Sequence, residues 1–201
     1  MATLGNGTSL VLMGLRGSGK STVGRDLAER SGRRFIDLDD ETRHYLGPGS
    51  LAEIIERVGL ERFRQAEYRA LVNQAFPMSA AGPIVALGGR TPTMPMAADY
   101  LRAARSRGFG RVIYLRAEPG TLRERLASAD NRDRPSLTGA GVVEEIEHLF
   151  SERDPLYTSL ADEVVTVDGL TLDDVSGALL PMVLDQESPD QSVLDADVQR
   201  E

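Results

Sequence analysis

The sequence has no cysteine and no tryptophan, and aromatic residues make up only 5% of its 201 positions. Without cysteine the chain builds neither disulfides nor thiolate metal sites, which fits a reducing compartment, so we expect a cytoplasmic protein. No apolar run approaches the roughly 18 residues of a membrane span, and no basic segment precedes a long apolar stretch. These absences predict a protein that is neither exported nor membrane-bound, with the length for one domain and a sizeable core.

Positive charge is also scarce, since 23 Lys and Arg stand against 31 Asp and Glu, for a formal net charge of −8. Residues 184–201 carry six acids and one arginine, a net −5, which leaves −3 for the rest. An acidic body argues against a general nucleic-acid surface. Few large apolar residues occur in 184–201, so we expect a domain over residues 1–183 and a disordered acidic tail over 184–201.

The stretch GLRGSGKST follows directly on the apolar run SLVLM. Four positions fit the pattern G-x-x-x-x-G-K-[ST]: Gly14, Gly19, Lys20 and Ser21. In this pattern a glycine-rich turn aims backbone N–H groups at phosphate oxygens, and the lysine adds a positive charge. A strand is predicted before the turn and a helix after it, which places the N–H groups at a helix N-terminus. A flexible surface loop is the alternative, but this context favours a nucleotide loop.

Apolar runs alternate with helical patterns along the chain. The predicted strands are 10–13, 35–38, 84–87, 112–115 and 164–167. The predicted helices are 20–31, 51–58, 61–76, 96–107, 119–128, 142–160 and 172–180. This alternation predicts an α/β protein with a mainly parallel sheet covered on both faces and ligands at the carboxyl ends of its strands.

The second predicted strand ends in FIDLDDETRH, which places Asp37 and Asp39 two residues apart. If the strand continues to Asp39, then Asp37 and Asp39 lie on the same face of it. A phosphotransferase needs one carboxylate for the magnesium hydration shell and another to orient the attacking hydroxyl. Alternatively, Asp39 or Asp40 caps the following helix. We predict a function for at least one of Asp37 and Asp39.

Other candidate residues lie in GLERFRQAEYRALV, VALGGRTPT and SERDPLYTSL. Arg64 and Arg153 fall in predicted helices, where most arginines are solvated, and a proline after Arg153 should bend or end its helix. At Gly88 and Gly89 the missing side chains would let a ligand approach the backbone, although a plain tight turn has the same composition.

The segment 128–141, SADNRDRPSLTGAG, interrupts the pattern with polar residues, a proline and two glycines. A loop of this length in a compact domain is typical of an active-site lid, and it carries Arg132 and Arg134. An ordinary solvated connection is the alternative.

Taken in order, these motifs resemble those of the shikimate kinase family over residues 10–180 or so: GLRGSGKST, IDLDD, RFRQAE, LGGR, NRDRPSL and RDPLY. The resemblance implies a P-loop fold of the nucleoside-monophosphate-kinase type, with three α/β/α layers, a five-stranded parallel sheet in the order 2-3-1-4-5 and a mobile lid over about 128–141. It implies transfer of the ATP γ-phosphate to the 3-hydroxyl of shikimate, with Mg²⁺, in aromatic amino-acid biosynthesis.

The resemblance also implies a role for each matching residue. Residues implied to bind ATP are Gly17, Ser18, Gly19, Lys20, Ser21, Thr22 and Arg134. Residues implied to bind shikimate are Asp39, Arg64, Gly88, Gly89 and Arg153. Residues implied to hold magnesium are Ser21 and, through water, Asp37. Three residues are implied to be catalytic. Lys20 contacts the β- and γ-phosphates, Asp39 orients or deprotonates the hydroxyl, and Arg134 moves in with the lid to neutralise charge on the transferred phosphoryl group.

Arg90 departs from this pattern, because the family has a third glycine there. An unpaired cation buried in the acceptor pocket is costly, so we predict that its guanidinium turns out of the pocket, towards solvent or a nearby carboxylate, with Asp37, Asp39 and Asp40 as candidate partners. The residue that contacts adenine stays open, with Arg125 as a candidate.

Two other functions fit parts of the sequence. One is a different small-molecule kinase of the same fold, such as a gluconate kinase, and the other is a non-catalytic nucleotide-binding module. A GTPase is disfavoured because no N-K-x-D motif occurs. The expected partners are ATP and a small-molecule substrate, with no nucleic acid and no membrane, and we expect a monomer.

Overall fold

Strands and helices alternate along the computed structural model, which describes residues 8–77, 82–128 and 145–184. The strands are β1 (Ser9–Met13), β2 (Phe35–Asp37), β3 (Ile84–Ala86), β4 (Gly110–Arg116) and β5 (Glu163–Thr166). The helices are α1 (Lys20–Ser31), α2 (Leu38–Leu46), α3 (Leu51–Val58), α4 (Leu60–Gln74), α5 (Pro95–Ser106), α6 (Pro119–Ser128), α7 (Ile146–Leu160), α8 (Leu172–Leu179) and α9 (Pro181–Leu184). A short 3-10 turn (Thr91–Thr93) precedes α5.

The five strands form one parallel sheet in the order β2-β3-β1-β4-β5, which confirms the predicted fold class and strand order. β1 lies at the centre, where Leu10 pairs with Ile84 of β3 and with Arg111 of β4. All five residues of β1 are buried, because helices cover both faces of a parallel sheet. The chain leaves β1, β2 and β3 at the same edge, so the segments that follow these strands meet there.

The hydrophobic core lies on both sides of the sheet and includes Leu27 of α1, Leu101 of α5 and Tyr157 of α7. A second, smaller cluster forms between α3 and α4 from Leu51, Ile54 and Phe63. This smaller cluster fixes α4 beside the carboxyl edge of the sheet, and α4 carries Arg64.

The region after β2 differs from the prediction. The strand ends at Asp37, one residue before the predicted end, and α2 begins at the next residue. One carboxylate oxygen of Asp37 accepts a hydrogen bond of 3.1 Å from the Asp39 N–H and so caps α2, whose acidic first turn also favours a helix N-terminus. The expectation that Asp37 and Asp39 share a strand face is therefore wrong, because Asp39 lies in the first turn of a helix.

Of the two expected effects of the proline in α7, an end of the helix does not occur, since the helix runs on to Leu160 as in the predicted range. Pro155 and Ser151 are both exposed, so the Ser151 carbonyl that loses its N–H partner lies on the side facing water. Because α7 continues, Arg153 and Tyr157 lie one turn apart on the same buried face. The predicted start of this helix, at 142–144, lies outside the described residues.

Residues 129–144 and 185–201 lie outside the described part of the chain, so most of the predicted lid and tail, with Arg132 and Arg134, is not described. Leu184 is the last residue of α9. Among the described helices, none is long and apolar enough to cross a membrane.

Candidate active site

The turn between β1 and α1 forms a compact cationic cradle, here called the nucleotide loop (residues 14–21). Gly19, directly before α1, has φ 95° and ψ 5°, a left-handed conformation that favours glycine. The Lys20 ammonium donates hydrogen bonds of 2.9 Å to the carbonyls of Gly14 and Leu15, and the residue is only 9% exposed. The Ser18 hydroxyl is buried without a hydrogen-bond partner in the described part of the chain. A helix N-terminus beside a held ammonium is suited to bind an anion.

Two oxygen donors lie together at the start of α1. The Ser21 hydroxyl donates to the Asp37 carboxylate at 2.6 Å, and Arg25 lies 3.9 Å from the same oxygen. Hydroxyl and carboxylate oxygens are the ligands that Mg²⁺ prefers, and it commonly takes one or two from the protein and the rest from water and phosphates. Within the described ranges no group of three or more His, Cys, Asp and Glu side chains is placed to hold a metal. Ser21 and Asp37 therefore fit a nucleotide-bound Mg²⁺.

On the other side of the sheet edge, the missing side chain of Gly88 makes room for two carboxylates. A Cβ at Gly88 would lie 2.7 Å from Asp39 Oδ1, 2.7 Å from Glu67 Oε1 and 3.0 Å from Thr91 Oγ1. Such distances leave no space for a side chain, so the glycine turn (residues 88–90) requires glycine at this position. Glu67 is 2% exposed and accepts hydrogen bonds from Arg64 Nη1 and from the Thr91 hydroxyl. The turn thus brings Asp39, Glu67 and Arg64 to one point.

Helix α7 holds the glycine turn from the opposite side. Arg153 is 3% exposed, and its Nη1 donates to the Gly89 carbonyl at 3.2 Å, while its Nε is buried without a partner among the described residues. The Tyr157 hydroxyl donates to the same carbonyl. Burial raises the pKa of Tyr157 to about 12, so the hydroxyl stays protonated as a donor at neutral pH. Tyr114 packs edge-on against the Tyr157 ring, with 5.4 Å between the ring centroids. The Tyr114 hydroxyl donates to Asp154.

Arg90 does not turn away from the site, so that prediction is wrong. The residue is half-buried and lines the cavity. The charged groups that act on its guanidinium are Arg64, Arg153, Glu152 and Glu67, and the expected carboxylates of α2 and its cap are not among them. Burial and the two neighbouring arginines lower the pKa of Arg90.

The nucleotide loop and the glycine turn line a common cavity of about 590 Å³, a size typical of small-molecule sites. The two segments approach closely, since a Cβ at Gly89 would lie 3.6 Å from the backbone nitrogen of Arg16. The cavity brings together all the predicted site residues that are described: Gly17, Ser18, Gly19, Lys20, Ser21, Thr22, Asp37, Asp39, Arg64, Gly88, Gly89 and Arg153. Arg134 lies outside the described residues, and the roles of all these residues stay predictions.

The motifs RFRQAE and RDPLY contain two residues to which the sequence analysis assigned no role, Glu67 and Tyr157. The spacing of Arg64 and Glu67, three apart on a helix, was a usable signal for an ion pair. Arg125, left open above, also lines the cavity and donates to the carbonyls of Val167 at 3.0 Å and Gly17 at 3.5 Å. Arg125 therefore links the nucleotide loop to the end of β5.

Comparison with known sequences points to one family. A family model described as shikimate kinase matches residues 16–183. A protein named shikimate kinase 2 from Yersinia enterocolitica is 38% identical over 158 residues, which cover 78% of this chain and 85% of that protein. A shikimate kinase 2 from an Enterobacter species is 37% identical over 161 residues, with 78% and 84% of the two chains covered.

Solved structures agree with the sequence matches. The structure of shikimate kinase from Acinetobacter baumannii in complex with shikimate has a TM-score of 0.74 and 26% identity, with 96% of each chain covered. A gluconokinase from Sinorhizobium meliloti has a TM-score of 0.57 at 18% identity over the full length of both chains, and at that identity the likeness is one of fold alone. By the extent of the family match and the identity to its curated members, this chain belongs to the shikimate kinase family.

Proposed function

We propose that this chain transfers the γ-phosphate of ATP to the 3-hydroxyl of shikimate in the cavity between the nucleotide loop and the glycine turn. ATP-dependent phosphorylation of shikimate is the reaction of its family. The observation that carries the site assignment is the close approach of Gly89 to the Arg16 backbone, where an added Cβ would lie 3.6 Å from the Arg16 nitrogen, because it supports an acceptor pocket directly beside the phosphate cradle.

On the nucleotide side, the N–H groups of the loop and the Lys20 ammonium bind the phosphates of ATP. Lys20 is already held at the mouth of the loop by the Gly14 and Leu15 carbonyls, so little reorganisation is needed when the phosphates arrive. Ser21 and Asp37 hold Mg²⁺, with Asp37 acting through water. When bound, the ion neutralises charge on the β- and γ-phosphates.

On the acceptor side, Arg64 and Arg153 bind the carboxylate of shikimate. A planar guanidinium presents paired N–H groups that match the two oxygens of a carboxylate. The buried Nε of Arg153 has no partner among the described residues, which supports a ligand there, since buried donors in native proteins are normally satisfied. Glu67 positions Arg64 through their ion pair.

Asp39 lines the cavity next to Gly88. In the reaction the 3-hydroxyl oxygen forms a bond to the γ-phosphorus while the bond from that phosphorus to the β–γ bridging oxygen breaks, and ADP leaves. Asp39 orients the hydroxyl and accepts its proton. The monomeric state, the cytoplasmic location and the roles of the lid and of Arg134 stay predictions.

An assay of ADP release tests the function directly. We expect ADP release that requires both shikimate and Mg²⁺, with phosphorus NMR placing the new ester at the 3-position. Gluconate replaces shikimate in a parallel reaction, because the gluconokinase shares the fold. ADP release no faster than with ATP alone, or faster with gluconate than with shikimate, would contradict the proposal.

The Tyr157 hydroxyl gives a second prediction, because it helps to hold the glycine turn. Tyr157→Phe keeps the ring contact with Tyr114 but removes a donor from the Gly89 carbonyl, so we expect the KM for shikimate to rise about fivefold and the free energy of unfolding to fall by about 1 kcal/mol. Tyr114→Phe is the matched control, since its hydroxyl bonds Asp154 instead and Tyr114 does not line the cavity. A similar loss of stability but an unchanged KM is expected for the control. Equal KM changes in both variants would show a general packing effect.

A further inference from the structure

Three arginines converge on the acceptor end of the cavity, and one of them stands where the family has glycine. Arg64 comes from α4 and Arg153 from α7, while Arg90 follows Gly89 on the glycine turn. The backbone of Arg90 is well held, since its carbonyl accepts from the N–H of Thr93 at 2.9 Å and from the Thr93 hydroxyl at 2.8 Å. The side chain therefore starts from a fixed point at the cavity wall.

The acids around this cluster are mostly engaged elsewhere. Glu67 already accepts hydrogen bonds from Arg64 and Thr91. Glu152 is exposed on α7 and lies 3.8 Å from His148. Within the described residues, the Arg90 guanidinium has no hydrogen bond or salt bridge, although it is half-buried beside two other cations. Such an arrangement is unfavourable until an anion enters the cluster.

We propose that Arg90 is a specificity-determining residue that binds the carboxylate of the acceptor as a third guanidinium beside Arg64 and Arg153. This inference rests on the proposed function, since it takes shikimate as the acceptor. Arg64 and Arg153 each use one Nη1 donor on the protein, on Glu67 and on the Gly89 carbonyl. Arg90 brings a guanidinium with no such commitment among the described residues.

The surroundings of Arg90 favour the acceptor over the nucleotide. All four charged residues that act on its guanidinium belong to the acceptor side, on α4 and α7, and no residue of the nucleotide loop is among them. A contact with the ATP phosphates is therefore the less favoured assignment, and the experiment separates the two.

The test compares Arg90→Gly and Arg90→Met with the wild type, using shikimate and an analogue in which a hydroxymethyl group replaces the carboxylate. We expect kcat/KM for shikimate to fall about tenfold in both variants, mainly because KM rises. A tenfold change corresponds to the lower end of the range for a charged hydrogen bond, as expected at a partly exposed site. The rate with the neutral analogue and the KM for ATP should stay unchanged. Calorimetry should give about a tenfold weaker Kd for shikimate without ATP, and Arg90→Lys should recover part of the loss.

Arg107→Gly is the matched control, because it makes the same substitution at an exposed arginine that does not line the cavity, and it should leave all parameters unchanged. Equal losses with shikimate and the neutral analogue, or a rise in the KM for ATP alone, would overturn the inference. Unchanged kinetics in Arg90→Gly would do the same. A wild type that fails to phosphorylate shikimate at all would instead refute the proposed function. Because Arg90→Met keeps the length of the side chain, it separates loss of charge from a disturbed turn.

Discussion

Replacement of Lys20 by methionine is expected to lower kcat about a thousandfold while the protein stays folded. The ammonium is held against the cavity by the Gly14 and Leu15 carbonyls, at the N-terminus of α1. Methionine keeps most of the length of the side chain but removes the charge that stabilises the transferred phosphoryl group, and loss of one such donor typically costs 10²- to 10³-fold. Coupled measurement of ADP release at saturating substrates checks this value.

Thermal unfolding and a second variant serve as controls for Lys20→Met. The two carbonyls lose a donor, which should reduce the free energy of unfolding by about 1 kcal/mol, too little to unfold a domain of this size. Arg30→Met removes a charge from the last turn of the same helix, about 15 Å along its axis, and should leave kcat unchanged. Turnover within tenfold of the wild type in Lys20→Met would refute the assignment of the phosphate site.

Asp39→Asn is the second change with a large expected effect, a loss of about 10²- to 10⁴-fold in kcat, the usual contribution of a general base. Asparagine has nearly the same shape, so it should fit beside Gly88 but cannot accept the proton of the hydroxyl. The KM for shikimate should change far less than kcat, because an amide oxygen still accepts a hydrogen bond from the substrate. Steady-state kinetics with varied shikimate separate the two parameters.

Asp40→Asn is the matched control for this experiment, since Asp40 is the next residue in the first turn of α2 but is exposed and paired with Arg43. It should change kcat by less than about twofold. A loss in Asp39→Asn that appears only in KM would reassign Asp39 to binding. If excess Mg²⁺ restored kcat, Asp39 would instead be assigned to metal binding, which is the role proposed for Asp37.

The nucleotide loop could be predicted because it depends on a short-range pattern, whereas the sheet order followed only from the resemblance to the family, since it depends on pairing between strands that are distant in sequence. The loop motif records which positions need glycine for a left-handed turn, and Gly19 has that conformation. The end of β2 could not be predicted from the apolar pattern, since Asp37 is compatible both with a continuing strand and with a helix cap. Its hydrogen bond to the Asp39 N–H decides between them.

The direction of Arg90 was predicted wrongly for a different reason. A long side chain is placed by what packs around it, and here α4 and α7, both distant in sequence, surround it with Arg64 and Arg153. A buried cation is costly only while no ligand compensates its charge, and in the proposed complex the acceptor carboxylate does so. Glu67 was missed similarly, because its burial depends on the approach of Gly88 and Thr91.

The position of Lys20 has a practical consequence, since it is the only lysine in the sequence. An amine-selective acylating reagent therefore meets a single side-chain target, and that target lies inside the phosphate cradle. Because Lys20 is 9% exposed and its ammonium is bonded to two carbonyls, the rate at which it is acylated depends on how often the ammonium leaves them. Because the α-amino group of the chain also reacts, peptide mapping of the acyl group on Lys20 would then report occupancy of the cradle, without any engineered label.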